Sequence, residues 1–305
     1  MIGTFIMSLD CEGKWGMADS IGPEHNFITH RALVDAYTAI IGSLDKRGLK
    51  ATFAFVGAFT LTDAQRLSFL PRVKETLYRG KNWNRNFLAD YNRGNLDGWF
   101  CPEALAMAVR SGHEIASHGF THVPFDDPEM PLDCINAELS NATALAEIQG
   151  VRLETFVYPR NLVRHSNLLA DHGLIAYRGN LTKTSRIMSL VREANICEKS
   201  QEHGAQEGRI FRIPAGHFFN WRHGARKLIP KAATARRWKS ILDDACQTKG
   251  VAHLWLHPHN VISGPGTLGV LDQVLDLVAK MRDMGKIQVL TQRDYTKKTM
   301  SSAMQ

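Results

Sequence analysis

Four short stretches carry side chains able to do chemistry together. The first, Ser8-Leu9-Asp10-Cys11-Glu12-Gly13, sets two carboxylates two residues apart. In an extended strand such residues point to the same side, so Asp10 and Glu12 can face one pocket. Carboxylates that close stay ionised together only where a cation or hydrogen bonds hold them so. The second, Ser117-His118-Gly119-Phe120-Thr121-His122, offers two imidazoles four apart, just past an apolar run. Neutral imidazole suits zinc and similar divalent ions. With one or both carboxylates, His118 and His122 make a donor set that leaves a coordination position open, as catalytic zinc requires. The third, Tyr158-Pro159-Arg160-Asn161, ends a strand with a guanidinium that can hold a carboxylate by two hydrogen bonds. In the fourth, His253-Leu254-Trp255-Leu256-His257-Pro258, strand parity puts His253, Trp255 and His257 on one face. A histidine at a strand mouth beside an apolar ring suits general acid work against a small apolar group. Taken singly, each stretch also reads as solvated acids, surface imidazoles, a turn arginine or a core tryptophan. Their shared position at strand ends sets the stronger reading.

The intervening sequence supplies the elements that would position them. Gly3 to Leu9 reads as a buried strand. A helix follows over Ala32, Leu33, Ala36, Tyr37, Ile40, Ile41 and Leu44, with Thr29 as N-cap and Gly48 as stop. Further strands are expected at Ala51–Val56, Glu114–Ser117, Leu153–Tyr158, Ile175–Tyr177, Phe211–Ile213, Val251–Leu256 and Gln288–Leu290. Helices are expected at Thr62–Tyr78, Pro102–Ser111, Pro131–Gln149, Asn167–His172, Ala233–Thr248 and Leu268–Met284. Asn82 to Trp99 reads as a long loop, Thr182 to Arg209 gives little signal, and the tail after Thr296 reads as frayed. Alternating strands and helices call for an α/β fold: a parallel sheet covered by helices, doubly wound or closed as a barrel. One catalytic domain over 1–296 is expected, with a loop insertion near 80–100 and a loose tail at 297–305.

Composition narrows the class. The chain has 305 residues, 44% hydrophobic and 22% charged, as in ordinary globular proteins. No run approaches eighteen apolar residues, which excludes a transmembrane helix. Cys11, Cys101, Cys134, Cys197 and Cys246 are scattered without a CxxC pair, against both a disulfide framework and a cysteine zinc site. With no export-type start, the expected compartment is the cytoplasm. The net charge of +7 favours anionic partners. Much of it lies between Arg222 and Lys239, either a solvated helix face or a grip for phosphates. No nucleic-acid motif accompanies it, so no specific nucleic acid is expected.

Taken in order, the four stretches resemble the polysaccharide deacetylase family, the carbohydrate esterases built on the NodB homology domain. The most specific match is Gly-His-Glu-Ile-Ala-Ser-His-Gly-Phe-Thr-His, Gly112 to His122. Asp10-Cys11-Glu12 looks like the Asp-x-Glu branch rather than the common adjacent aspartates, and Arg160 follows Pro159 where the common form places arginine first. The resemblance implies an irregular (β/α)7 barrel and metal-assisted hydrolysis of an N-acetyl group on an amino sugar. By resemblance, Asp10 is the general base, and Glu12, His118 and His122 hold one divalent ion, zinc first. Arg160 orients Asp10, and His257 protonates the leaving amine. Trp255, Leu256, Tyr158 and Trp15 are the expected substrate wall, with Trp83, Trp99 and Trp221 as further aromatic candidates. The expected partner is an N-acetylated sugar or saccharide, phosphorylated or lipid-linked, with peripheral membrane contact through the basic segment. The same residues would serve an allantoinase-like hydrolase of a cyclic or other small amide. A non-catalytic carbohydrate-binding protein is the third reading.

Overall fold

The computed structural model describes residues 2–180 and 186–303. Its main sheet has ten strands: β1 (Gly3–Cys11), β2 (Thr52–Phe55), β3 (Glu114–Ser117), β4 (Thr155–Val157), β5 (Ala176–Arg178), β6 (Ala205–Glu207), β7 (Ile210–Ile213), β8 (His217–Phe218), β9 (Val251–Leu256) and β10 (Ile287–Leu290). They run in the order β8-β9-β1-β2-β3-β4-β5-β7-β6, with β10 also on β1. Every pair is parallel except β6 with β7.

All nine residues of β1 are buried. A parallel strand covered on both faces reads as a near-continuous apolar run, and Gly3–Leu9 is one. One edge of β1 pairs with β9, Thr4 opposite Val251 through Leu9 opposite Leu256. The other edge is shared. Gly3–Ile6 lies along β10 and Ser8–Cys11 along β2. Among the described strands the two ends of the path do not pair with each other, so the sheet is a curled half-barrel, an irregular form of the expected β/α barrel.

Helix α1 (His30–Asp45) forms as its spacing predicts. Thr29 accepts from the Ala32 amide at 3.2 Å, and Leu33, Ala36, Tyr37, Ile40, Ile41 and Leu44 are buried. It packs against α2 (Pro102–Arg110).

Four expectations change. The helix expected at Thr62–Tyr78 stops at Phe69. Pro71 lacks the amide that would continue the ladder, so Leu70–Arg72 tightens into a short turn and the chain extends into a small hairpin, Leu77–Tyr78 with Lys81–Asn82. The loop expected near 80–100 contains a helix, Arg85–Asn92, whose Phe87 packs on Trp15 and Trp99 with ring centroids 4.4 and 5.1 Å apart. The tail is not frayed up to residue 303. Gln292–Ala303 is a helix that buries Tyr295, whose hydroxyl accepts from the Gly204 amide at 2.8 Å. In the weak region, 181–185 lie outside the described residues and Arg186–Ala194 is helical.

Candidate active site

The carboxyl ends of β1, β3, β5 and β9 bring one set of polar side chains together. β1 supplies Ser8, Asp10 and Glu12, alternate residues leading out of the strand. Past Glu12 the chain turns sharply. At Gly16 an added Cβ would lie 2.1 Å from Glu12 Oε1, so a side chain there would displace that carboxylate.

Beyond β3, Gly119 and His122 both take left-handed backbone, and the turn folds His122 back onto His118. The Thr121 hydroxyl donates to Glu138 at 2.6 Å, and the Phe120 and Thr121 amides donate to the same carboxylate at 2.9 and 2.7 Å. Three donors on one buried acid fix the turn. The two Nε2 atoms then stand 3.1 Å apart, and Glu12 Oε2 lies 3.4 Å from His118 Nε2 and 2.9 Å from His122 Nε2.

His118 Nδ1 donates to the Val157 carbonyl at 2.7 Å, which leaves the Nε2 lone pair facing this cluster. His122 Nδ1 is buried without a partner. Donors around a four-coordinate zinc ion at about 2.1 Å stand about 3.4 Å apart, close to these spacings. Two buried imidazoles and a carboxylate aimed at one point thus fit a divalent ion. Burial alone would raise Glu12. The pull of His257 and His122, with hydrogen bonds from both cluster histidines, instead holds it well below the usual carboxylate range.

Asp10 has a different partner. Arg178, at the end of β5, grips it through two parallel bonds of 2.7 Å. Both side chains are almost fully buried. Burial would raise Asp10, but Arg178 outweighs it and the carboxyl titrates low. Each Nη atom also makes a second bond. Nη1 also donates to Ser8 Oγ at 3.1 Å and Nη2 to Asn161 Oδ1 at 2.7 Å. Ser8 Oγ lies 2.9 Å from His253 Nε2, and His253 Nδ1 donates to the Pro214 carbonyl at 2.7 Å. A continuous chain of hydrogen bonds therefore fixes Asp10.

His253 remains neutral because burial pushes it down to about 3, and burial does the same to His217. The sign is definite. An unfolded histidine takes up a proton below about pH 6.5, and these two folded imidazoles do not until about pH 3. Between those values, falling pH favours the unfolded chain by about 1.4 kcal/mol per unit for each such imidazole. Urea unfolding at pH 7, 6 and 5 is expected to show this decline. A flat stability over that range would contradict it.

His257 stands beyond β9, partly exposed. Its Nε2 is 3.5 Å from Glu12 Oε1 and 4.0 Å from Asp10 Oδ2. Its ring stacks on His259 at 4.9 Å and meets Trp255 edge-on at 5.8 Å.

Several expected residues lie elsewhere. Arg160 does not touch Asp10. Its left-handed backbone turns it outward, where it pairs with Asp19 at 2.6 Å and covers Trp83 at 4.5 Å. Arg178 takes the orienting position instead. Trp15, Tyr158 and Leu256 are fully buried and line no mouth. Trp15 donates to the Trp99 carbonyl inside an aromatic cluster, and Tyr158 packs edge-on against Tyr177. Trp83 and Trp99 are buried too. Trp255 is half-buried beside His257 and under Arg178, and Trp221 is half-buried near His259. These two tryptophans are the aromatic faces at the mouth. In the basic segment, Arg237 is internal and donates to the Phe218 carbonyl at 3.1 Å, because the buried stripe of Lys231–Thr248 runs through it.

The polysaccharide deacetylase family model matches residues 25–174. No curated protein matches the chain. Among solved structures, a protein assigned as a polysaccharide deacetylase from Mycobacterium smegmatis aligns over 98% of this chain and 91% of its own, with 15% identity and a TM-score of 0.65. Puue allantoinase aligns over 96% and 89%, with 11% identity and a TM-score of 0.58. A carbohydrate esterase family 4 pseudoenzyme from Bacillus anthracis aligns over 97% and 66%, with 13% identity and a TM-score of 0.50. At these identities the structural likeness speaks for the fold. The family match takes in both cluster histidines, and over residues 25–174 the chain is similar to the polysaccharide deacetylase family.

Proposed function

We propose that the chain is a metal-dependent hydrolase that removes an N-acetyl group from an amino sugar in polysaccharide or lipopolysaccharide assembly. The observation that carries this reading is the convergence of Glu12, His118 and His122, with Asp10 and His257 beside them. A divalent ion held by those three residues, zinc first, would supply Lewis-acid polarisation and a water of lowered pKa. The remaining work falls to this chain's own groups. Asp10, ionised and fixed by Arg178, accepts the proton of the attacking water. His257, directed at both carboxylates, gives its Nε2 proton to the departing amine. Trp255 and Trp221 offer aromatic faces to the sugar and its acyl methyl.

Purified protein incubated with N-acetylated glycans, nucleotide-linked amino sugars and cyclic ureides, with free amine and acetate measured, tests the reading. Release of acetate supports it. Ring opening of a ureide with no acetate release replaces it with the small-amide reading. Asp10→Asn and His257→Ala are each expected to lower kcat by about 10²–10⁴-fold with the fold intact. Near-normal turnover removes the residue from the mechanism.

On this reading the substrate is a cytoplasmic, phosphorylated or lipid-linked precursor. Five unpaired cysteines suit a reducing compartment, and Lys227 and Arg236 are exposed cations for a phosphate. Charge reversal at both is expected to raise KM for a phosphorylated amino sugar more than for its neutral counterpart. Equal effects would leave the segment as a solvated face. Recovery of the native protein from the periplasm would overturn the location.

A further inference from the structure

A second group of metal-ligand side chains lies outside the active site, where the N-terminus of α1 meets that of α2. His30 opens α1, Cys101 caps α2, and Glu103 lies in its first turn. His30 Nε2 stands 3.1 Å from Glu103 Oε2. One donor atom from each of the three residues lies within 4.8 Å of the others. The Cys101 side chain is buried, with its backbone held by a 2.8 Å bond to the Phe59 carbonyl, while His30 and Glu103 are about half exposed. The sulfur is therefore fixed from inside, and the other two donors close over it from the solvent side.

Around that sulfur the polar environment is divided. The nearby Ala104 amide, which donates to the Cys101 carbonyl at 3.1 Å, favours the thiolate, while burial and the Glu103 carboxylate push the thiol up to about 12. Without a cation the sulfur keeps its proton. A bound divalent ion reverses that balance, because a coordinating thiol gives up its proton to solution. A thiolate with an imidazole selects soft or borderline ions such as zinc and cobalt over magnesium or calcium, and the carboxylate completes the charge.

We propose that His30, Cys101 and Glu103 form a second divalent-metal site, one for a thiophilic ion of the zinc class, with its remaining position open to water. Its place explains what it would do. The His30 amide donates to Asp97 at 2.6 Å, and the neighbouring Gly98 carbonyl accepts from the Lys14 amide at 3.1 Å. An ion there clips α1, α2 and the 97–101 segment together, and that segment is bonded to Lys14, two residues past Glu12. It is a structural clip, independent of the reaction proposed above.

Cobalt titration of the full chain separates this site from the first cluster, which offers only nitrogen and oxygen. The expected result is a near-ultraviolet sulfur-to-cobalt charge-transfer band of one thiolate per chain, displaced by zinc. The band persists in Glu12→Gln and disappears in Cys101→Ser. Because Cys101 is buried, His30→Ala and Glu103→Gln provide surface variants that keep the fold, confirmed by circular dichroism. Each is expected to weaken cobalt binding about tenfold or more. Absence of the band in the wild-type chain, its survival in Cys101→Ser, or unchanged affinity in His30→Ala would each overturn the site.

Discussion

Replacing Arg178 with glutamine is expected to cause one of the largest losses of any single substitution in this chain. The change leaves Asp10 buried without its bidentate partner. Breaking a buried ion pair from one side costs about 3–5 kcal/mol. The same change removes the cause that holds the Asp10 carboxyl low, so burial then dominates and raises it. In the proposed mechanism Asp10 is the base, and it can act only when ionised. Activity is present above its pKa and lost as pH falls through it, so the acid limb of kcat/KM is expected to move to higher pH in Arg178→Gln, with a lower plateau. Stability follows the same sign. The native Asp10–Arg178 pair stabilises the fold above the unfolded aspartate value, about 3.9, and loses that contribution as pH falls through the lower folded value. Arg160→Gln serves as the control, since that side chain lies on Trp83 and Asp19. It is expected to leave the pH profile in place. A profile that moves with Arg160 and not with Arg178 would reverse the assignment.

Removal of one cluster donor should abolish both metal retention and turnover. His118→Ala takes away the cluster imidazole that the Val157 carbonyl orients, and Glu12→Gln takes away the negative charge. Each variant is expected to retain less than one tenth of the wild-type active-site metal after dialysis, read by elemental analysis in a Cys101→Ser background, and to show no measurable hydrolysis. Full turnover from metal-free protein would remove the ion from the mechanism.

How much of this was legible depends on the range of the signal. Asp10 and Glu12, and His118 and His122, are neighbours in sequence, so strand parity and spacing were enough to place them together. Arg178 was not found because its contact with Asp10 spans 168 residues and the expected strand was ended at Tyr177, one residue short. An arginine at the end of an otherwise apolar strand was the available signal. The sequence points to Arg160 instead, because the left-handed backbone that turns it outward, and that aims Asn161 at Arg178, leaves no mark in composition. Helix Arg85–Asn92 was read as loop because its few apolar residues gain their stability from Trp15 and Trp99 rather than from local periodicity. The last helix hid behind its lysines, of which Lys297 reaches Glu154 at 2.9 Å. Trp15 was misplaced for the opposite reason: an aromatic beside the acidic pair looks like a substrate wall until the core packed behind it is seen.

The position of β1 also governs how the molecule is born. Its first half is flanked by Val251 on one side and Ile287 on the other, so this strand waits for partners made some 250 to 280 residues after it. Until then its exposed amides and carbonyls, on an almost wholly apolar strand, are an open invitation to pair with a neighbouring nascent chain. His257, which reaches toward both Asp10 and Glu12 from beyond β9, arrives only after that wait. Closing so long a loop makes folding slow even where the product is stable. Expression is therefore expected to depend on chaperone supply, and a chain stalled before residue 251 would carry Arg178, His118 and His122 for the acidic pair but lack His257.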